Sequence, residues 1–188
     1  MTLYVTSDEK PHLGGNIREG DSWGWSPLAW EYVLKKYDIK HMTDVGSGMG
    51  HVPKWFSEHG VGVTAIDGLE ENAKEAIYPT ILHDIIEGPF IRPTDLVFCV
   101  EVVEHIEERY LDNLLTTLCQ GEFILMTHGV PGQPGWHHVN CQTSEYWIDH
   151  LDKRGYILSR KDSAVIQELA SRDGAHHFVQ NGMLFIKK

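Results

Sequence analysis

The chain has 188 residues, 41% hydrophobic and 23% charged, enough for one domain with a buried core and a composition that excludes disorder. Its formal net charge of −11 repels polyanions and disfavours nucleic acid as a partner. Cys99, Cys119 and Cys141 show no paired spacing, and neither a leader nor an apolar run of membrane-spanning length is visible, so a reduced, cytoplasmic setting without membrane attachment is expected.

Residues 1–25, rich in Gly, Asp and Lys without a sustained period, read as an arm or lid, which leaves 26–188 as a single domain. Ser26 before Pro27 is an N-cap signal, and Leu28, Trp30, Tyr32, Val33 and Leu34 carry a helix to about Tyr37. Apolar runs at Met42–Val45, Val61–Ile66, Thr80–Leu82, Leu96–Val100 and Phe123–Met126 predict buried strands. Helices are predicted around Val52, Trp55 and Phe56, over Glu70–Tyr78, Glu107–Cys119 and Ser144–Arg154, and near Ala164–Ser171. Gly60 and Gly155 stand where helices should end, and Tyr156–Arg160 and Met183–Lys187 read as two further strands. Such alternation makes a mostly parallel sheet with helices on both faces, and ligands of such sheets bind outside the carboxyl ends of the strands.

The loop after the first of these strands reads Asp44-x-Gly46-x-Gly48-x-Gly50, and its alternate glycines let backbone turn sharply beside a ligand. A tight strand-to-helix turn would explain the glycines alone, but Asp67 ends the next strand, where a carboxylate can accept ribose hydroxyls. A dinucleotide is disfavoured: the third position of G-x-G-x-x-G falls on His51, and Asp44 would repel a pyrophosphate. The pattern resembles the first motif of class I S-adenosylmethionine-dependent methyltransferases, and the resemblance runs from about residue 26 onward. It implies an α/β, Rossmann-like fold with a mostly parallel seven-stranded sheet. It also implies a donor site built from Asp44, Gly46, Ser47, Gly48, Gly50, Asp67, Gly68, Asp84, Ile85, Val100 and Glu101. In that family Asp44 and Gly46 face the methionine part of S-adenosylmethionine, Asp67 the ribose, and Asp84 with the Ile85 N–H the adenine. An Asp at a strand end can equally cap the next turn, which is the plainer reading of Asp84.

After the fourth strand comes Glu101-x-x-Glu104-His105. Acidic residues favour a helix N-terminus, which accounts for Glu107 and Glu108 but less well for two carboxylates and a histidine at a central strand end. The cluster resembles the fourth motif of ubiquinone-biosynthesis and small-RNA terminal O-methyltransferases. In the RNA group, two Glu, the His and a later His hold a divalent metal against substrate hydroxyls. By that resemblance the metal ligands are Glu101, Glu104, His105 and His138, from a set of hard and borderline donors suited to lowering a hydroxyl's pKa. Without a metal, His105, His137 or His138 is a candidate general base, with Glu104 beside it; a purely structural role for the loop histidines is the third reading. Trp23, Trp25 and Trp136, with hinge glycines Gly132 and Gly135, suit closure over a flat or sugar-like acceptor. Lacking the basic, aromatic-interleaved tract of an RNA binder, the chain fits O-methylation of a small-molecule or sugar hydroxyl. A metal-dependent RNA terminal 2'-O-methyltransferase and a catalytically silent donor-binding module are the alternatives.

Overall fold

A computed structural model describes residues 4–188; Met1–Leu3 of the expected arm lie outside the described residues. The arm carries an antiparallel hairpin, β1 (Tyr4–Thr6) and β2 (Gly14–Ile17), followed by helix α1 (Pro27–Tyr37). Next come β3 (His41–Val45), α2 (His51–Glu58), β4 (Gly62–Asp67), α3 (Glu70–Glu75), β5 (Thr80–Leu82) and β6 (Thr94–Cys99). The remainder is α4 (Leu111–Leu118), β7 (Gly121–Met126), α5 (Ser144–Asp152), β8 (Tyr156–Leu158), α6 (Arg160–Asp173), α7 (His176–Asn181) and β9 (Met183–Lys187).

The main sheet has seven strands in the order β5-β4-β3-β6-β7-β9-β8, parallel except that β9 runs antiparallel to both its neighbours. This is the mostly parallel α/β sheet expected from the alternation. Its central strands are buried on both faces and sort their side chains by the two-residue period, whereas edge strand β5, expected to be buried, exposes Ile81 and Leu82 because no strand covers its outer side. Val97 and Cys99 of β6 join Leu114, Leu115, Trp147 and Tyr156 on one face, while Leu96 and Phe98 join Trp30, Phe56, Ile166 and Phe178 on the other. Trp30, 0% exposed, meets Trp25, Trp55 and Phe98 edge to face, so the helix Pro27–Tyr37 is held by aromatic packing. Chain order reverses at β3, whose neighbours are β4 and β6, which opens a crevice at the carboxyl ends of those strands. No helix among the described residues is long and apolar enough to cross a membrane.

Several boundaries differ from expectation for local reasons. Ser26 does not cap α1 with its own side chain; its hydroxyl and the Leu28 N–H both donate to Asp173 Oδ2, at 3.1 and 2.9 Å, so the cap comes from α6. Helix α3 stops at Glu75 rather than reaching Tyr78, because the Ile77 N–H turns to Met49 O (2.9 Å) and Pro79 disfavours helix in the residue before it. The helix expected from Glu107 begins at Leu111, since Glu107 is extended (ψ 143°) and only a single tight turn, Glu108–Tyr110, precedes it. Arg160, expected in a strand, opens α6, because the chain leaves the sheet at Ser159.

Candidate active site

A cleft of about 1260 Å³ opens at the carboxyl ends of β3, β4 and β6. Its floor is the glycine loop. Gly46, Gly48 and Gly50 have φ of 71°, 53° and 80°, and a Cβ on Gly46 would stand 2.5 Å from Val102 Cγ2, so glycine is required there by both backbone and space. The N–H groups of Gly46 and Ser47 donate to Ile66 O, both at 3.0 Å, which ties the loop to the end of β4. Asp67 then accepts from the Gly48 N–H through Oδ2 at 2.8 Å, and through Oδ1 from the Leu69 N–H at 2.9 Å and Asn72 Nδ2 at 3.1 Å. Asp44, 3% exposed, lies beneath; burial and then the Asp67 charge raise its pKa well above the usual carboxylate range. A cation placed near it would restore the ionised form. Burial also raises Asp67, offset in part by its three donors.

Of the expected donor-site residues, Asp44, Gly46, Ser47, Gly48, Asp67, Gly68, Asp84, Ile85, Val100 and Glu101 line the cleft. Gly50 stands behind them as the left-handed N-cap of α2. Asp84 caps the turn Ile85–Glu87 through the Ile86 N–H (3.2 Å), and its carboxylate also receives His12 Nε2 at 3.0 Å and Lys10 Nζ at 3.1 Å from the arm.

The acceptor side is built from the turn after β6 and the loop after β7. Glu104, His105 and His138 offer ligand atoms that lie within 4.8 Å of one another. Glu104 is 0% exposed, and neither its Oε1 nor its Oε2 makes a hydrogen bond of ordinary geometry, although the Glu101 carboxyl and the Gly129 N–H lie beside it; His105 Nδ1 is likewise buried without a partner. Burial, and then the Glu101 charge, hold the Glu104 carboxyl far above its ordinary pKa. Burial and the neighbouring His138 and His137 push His105 down to about 4. His138 Nδ1 donates to Gln133 O at 3.2 Å, since a carbonyl only accepts, which leaves Nε2 with a free lone pair. The N–H groups of Val139 and Asn140 both donate to Glu104 O, at 3.0 Å each, so the returning loop is anchored to the same residue.

Two expected members stand apart. Glu101 does not join the Glu104–His105–His138 group: Thr127 Oγ1 (2.9 Å) and Gln133 Nε2 (2.9 Å) donate to its carboxylate, and His177 Nδ1 approaches at 3.2 Å. The Glu101 backbone is itself left-handed, φ 52°, which turns the side chain toward Thr127. His137, with φ 47°, is not part of the cleft wall, and burial lowers its pKa. Trp136 lines the cleft as expected, as does Trp23, whose indole is 57% exposed.

Sequence reasoning did not find the arm's share in the site. Leu13 presses on Gly68, Asn16 lies against Gly48 and pairs with Asn72, and Asp21 receives His177 Nε2 at 2.9 Å. Despite burial, the Asp21 carboxylate and the Glu101 charge raise the pKa of His177. Asn72, five residues beyond Asp67 on a predicted helix, was the one legible signal, as a polar side chain on a face turned to the sheet.

No family model matches the chain. It is 31% identical over 108 residues to the ubiquinone biosynthesis O-methyltransferase of Rickettsia felis, a match covering 48% of this chain and 44% of that protein. The corresponding protein of Rickettsia bellii is 30% identical over 110 residues, 48% of this chain and 45% of that one. The matches thus span less than half the length of these curated relatives. Among solved structures, a SAM-dependent methyltransferase from Archaeoglobus fulgidus superposes with a TM-score of 0.61 at 17% identity, over 91% of this chain and 96% of that one. The plantazolicin methyltransferase BpumL, bound to a desmethyl analogue and S-adenosylhomocysteine, gives 0.59 at 14% identity, over 86% and 83%. The magnesium protoporphyrin IX methyltransferase of Synechocystis with bound S-adenosylmethionine gives 0.56 at 17% identity, over 71% and 67%. The chain thus has the fold of class I S-adenosylmethionine-dependent methyltransferases and is similar in sequence, over about half its length, to ubiquinone biosynthesis O-methyltransferases.

Proposed function

We propose that the protein transfers a methyl group from S-adenosylmethionine to a hydroxyl of a small molecule or sugar. The observation that carries the reading is the group Glu104, His105 and His138, whose ligand atoms lie within 4.8 Å of one another, with both histidines lining the same cleft as the glycine loop and Glu104 buried behind them. On the donor side, Asp67 is placed to accept a ribose hydroxyl and Asp44 to face the cationic end of the donor, whose charge offsets the burial of that carboxylate. Similarity to O-methyltransferases supports oxygen as the acceptor atom, and the net charge of −11 favours a small acceptor over RNA.

Methyl transfer from a sulfonium is an in-line displacement, so alignment and exclusion of water are the protein's main contributions. Trp136 and Trp23 line the cleft, and the arm residues Leu13 and Asn16 cover its donor end. Glu104, His105 and His138 fit a divalent metal: one ligand atom of each lies within 4.8 Å of the others, and Gln133 O fixes the His138 tautomer so that Nε2 is free to ligate. A hard cation held there supplies a charge that lowers the pKa of an acceptor hydroxyl. A pKa of about 4 makes His105 a weak base at neutral pH but keeps it in the neutral form that ligates, which favours the metal reading over a metal-free base.

The test is donor binding followed by turnover. S-adenosylhomocysteine is expected to raise the melting temperature where NAD does not, and Asp67→Ala to weaken S-adenosylhomocysteine binding more than tenfold; an unchanged affinity contradicts the assignment. Transfer of labelled methyl to a panel of phenols, catechols and sugars is expected to fall on chelation. Donor binding with no transfer to any acceptor would instead favour a silent donor-binding module.

A further inference from the structure

We propose that Asn16, on the arm hairpin, is a specificity-determining residue that reads one of the two ribose hydroxyls of the donor. The inference rests on the S-adenosylmethionine reading above and adds a residue outside the glycine loop and its acidic partners.

The argument begins with acceptor capacity. A carboxylate offers about four lone-pair positions, two on each oxygen. Asp67 Oδ1 already accepts from the Leu69 N–H and Asn72 Nδ2, at 2.9 and 3.1 Å, and Oδ2 from the Gly48 N–H at 2.8 Å. One position remains, on Oδ2. A ribose presents two adjacent hydroxyls, so Asp67 held in this way takes one of them well and leaves the other without an acceptor. A site that buries a hydroxyl unpaired loses affinity, so a second polar group is required nearby.

Asn16 meets that requirement. It lines the cleft, and its side chain comes within 3.4 Å of where a Cβ on Gly48 would stand, beside the N–H that holds Asp67. Its amide exchanges two hydrogen bonds with Asn72: Asn16 Nδ2 donates to Asn72 Oδ1 at 3.3 Å, and Asn72 Nδ2 donates to Asn16 Oδ1 at 3.0 Å. The orientation of both amides follows from chemistry. Asp67 Oδ1 is saturated by donors, so the Asn72 group facing it is Nδ2, and Asn72 Oδ1 is thereby left for Asn16. Asn72 is 1% exposed and has no room to turn away. Each end of the Asn16 amide therefore keeps one free position, an N–H and a lone pair, able to donate to or accept from a hydroxyl. Leu13, packed against Gly68, holds the hairpin in contact with the end of β4. The ribose would thus be read by Asp67 from the sheet and by Asn16 from the arm, linked through Asn72.

The experiment measures dissociation constants by calorimetry for S-adenosylhomocysteine and for its 2'-deoxy and 3'-deoxy analogues. The wild-type protein is expected to bind each analogue about tenfold more weakly than the parent, one good hydrogen bond apiece. Asn16→Ala and Asn16→Leu are expected to bind the parent about tenfold more weakly and to lose the penalty for one analogue while keeping it for the other. Leu fills the side-chain volume, so agreement between the two variants separates hydrogen bonding from detachment of the arm. If both variants weaken all three ligands by the same factor, or keep both penalties in full, Asn16 serves packing alone and the proposal is wrong. If the wild-type protein binds no S-adenosylhomocysteine, the donor reading fails first; if it binds and Asp67→Ala abolishes binding while Asn16 variants keep both penalties, only the role of Asn16 fails.

Discussion

Replacing Glu104 by Met removes a buried carboxyl that the metal-free fold holds in its neutral form. Glu104 is 0% exposed, neither of its oxygens makes a hydrogen bond of ordinary geometry, and burial followed by the Glu101 charge raises its pKa well above the ordinary 4.5. With the folded pKa above the unfolded one, the group costs nothing at low pH, where both states are protonated. As pH rises past the unfolded value, the unfolded chain ionises freely while the folded one resists, so wild-type stability falls. Met is of similar length, unbranched and apolar, and fills the site without a polar atom that needs a partner. Relief of a buried unsatisfied group is worth about 1–3 kcal/mol. For a chain of this size each kcal/mol moves Tm by about 2–4 °C. In chelator, Glu104→Met is therefore expected to melt about 2–12 °C above wild type at pH 8, with the gain shrinking toward pH 5, and to lose methyl transfer. The assay is differential scanning fluorimetry at pH 5, 7 and 8. A variant that melts several degrees below wild type at pH 8 would show that Glu104 makes stabilising contacts in the fold, and the argument from an unpartnered carboxylate would collapse.

Three further outcomes follow from the geometry. Mn²⁺ or Mg²⁺ at about a hundred times its dissociation constant should stabilise the wild-type protein by about 2.7 kcal/mol, and should leave Glu104→Met and His138→Ala unmoved; no shift with either ion would remove the metal. Gly46→Ala places a Cβ 2.5 Å from Val102 Cγ2 on a backbone of φ 71° and should cost about 1–3 kcal/mol in urea unfolding, together with donor binding. Asp173→Ala takes the cap from α1 and should lower stability by about 1 kcal/mol with S-adenosylhomocysteine affinity little changed, since neither Asp173 nor Leu28 lines the cleft.

The parts of the fold visible in the sequence were those written in local pattern. The buried runs such as Leu96–Val100, the glycines at 46, 48 and 50, and Asp67 at a strand end needed only neighbours in the chain to be read. The hairpin β1–β2 was hidden because its strands are three and four residues long and Gly14 and Gly15 carry positive φ, a pattern that looks like irregular loop. Helix α7, six residues long, is too short to display a period. The cap of α1 came from Asp173, 145 residues from Leu28, and no local rule finds such a partner. Within the site, Glu-x-x-Glu-His was visible as a cluster, but its division was not. Glu101 stays close enough to Glu104 to raise its pKa, but Thr127, Gln133 and His177 engage its carboxylate and keep it out of the ligand group, and those contacts exist only once the sheet has formed.

The position of β9 has a consequence for how the molecule assembles. It pairs with β7 through Phe123↔Ile186 to Met126↔Met183 on one side and with β8 through Tyr156↔Lys187 to Leu158↔Phe185 on the other. Edge strand β8 therefore has no place in the sheet until the chain beyond it has returned, across about sixty residues, to dock against β7. Loop-closure entropy is spent before any of that pairing is gained, so this side of the sheet forms late and as one cooperative unit. The β3–β4 pairing that carries the glycine loop and Asp67 closes a much shorter stretch, from His41↔Gly62 to Val45↔Ile66, so it can form without waiting for the C-terminal strands.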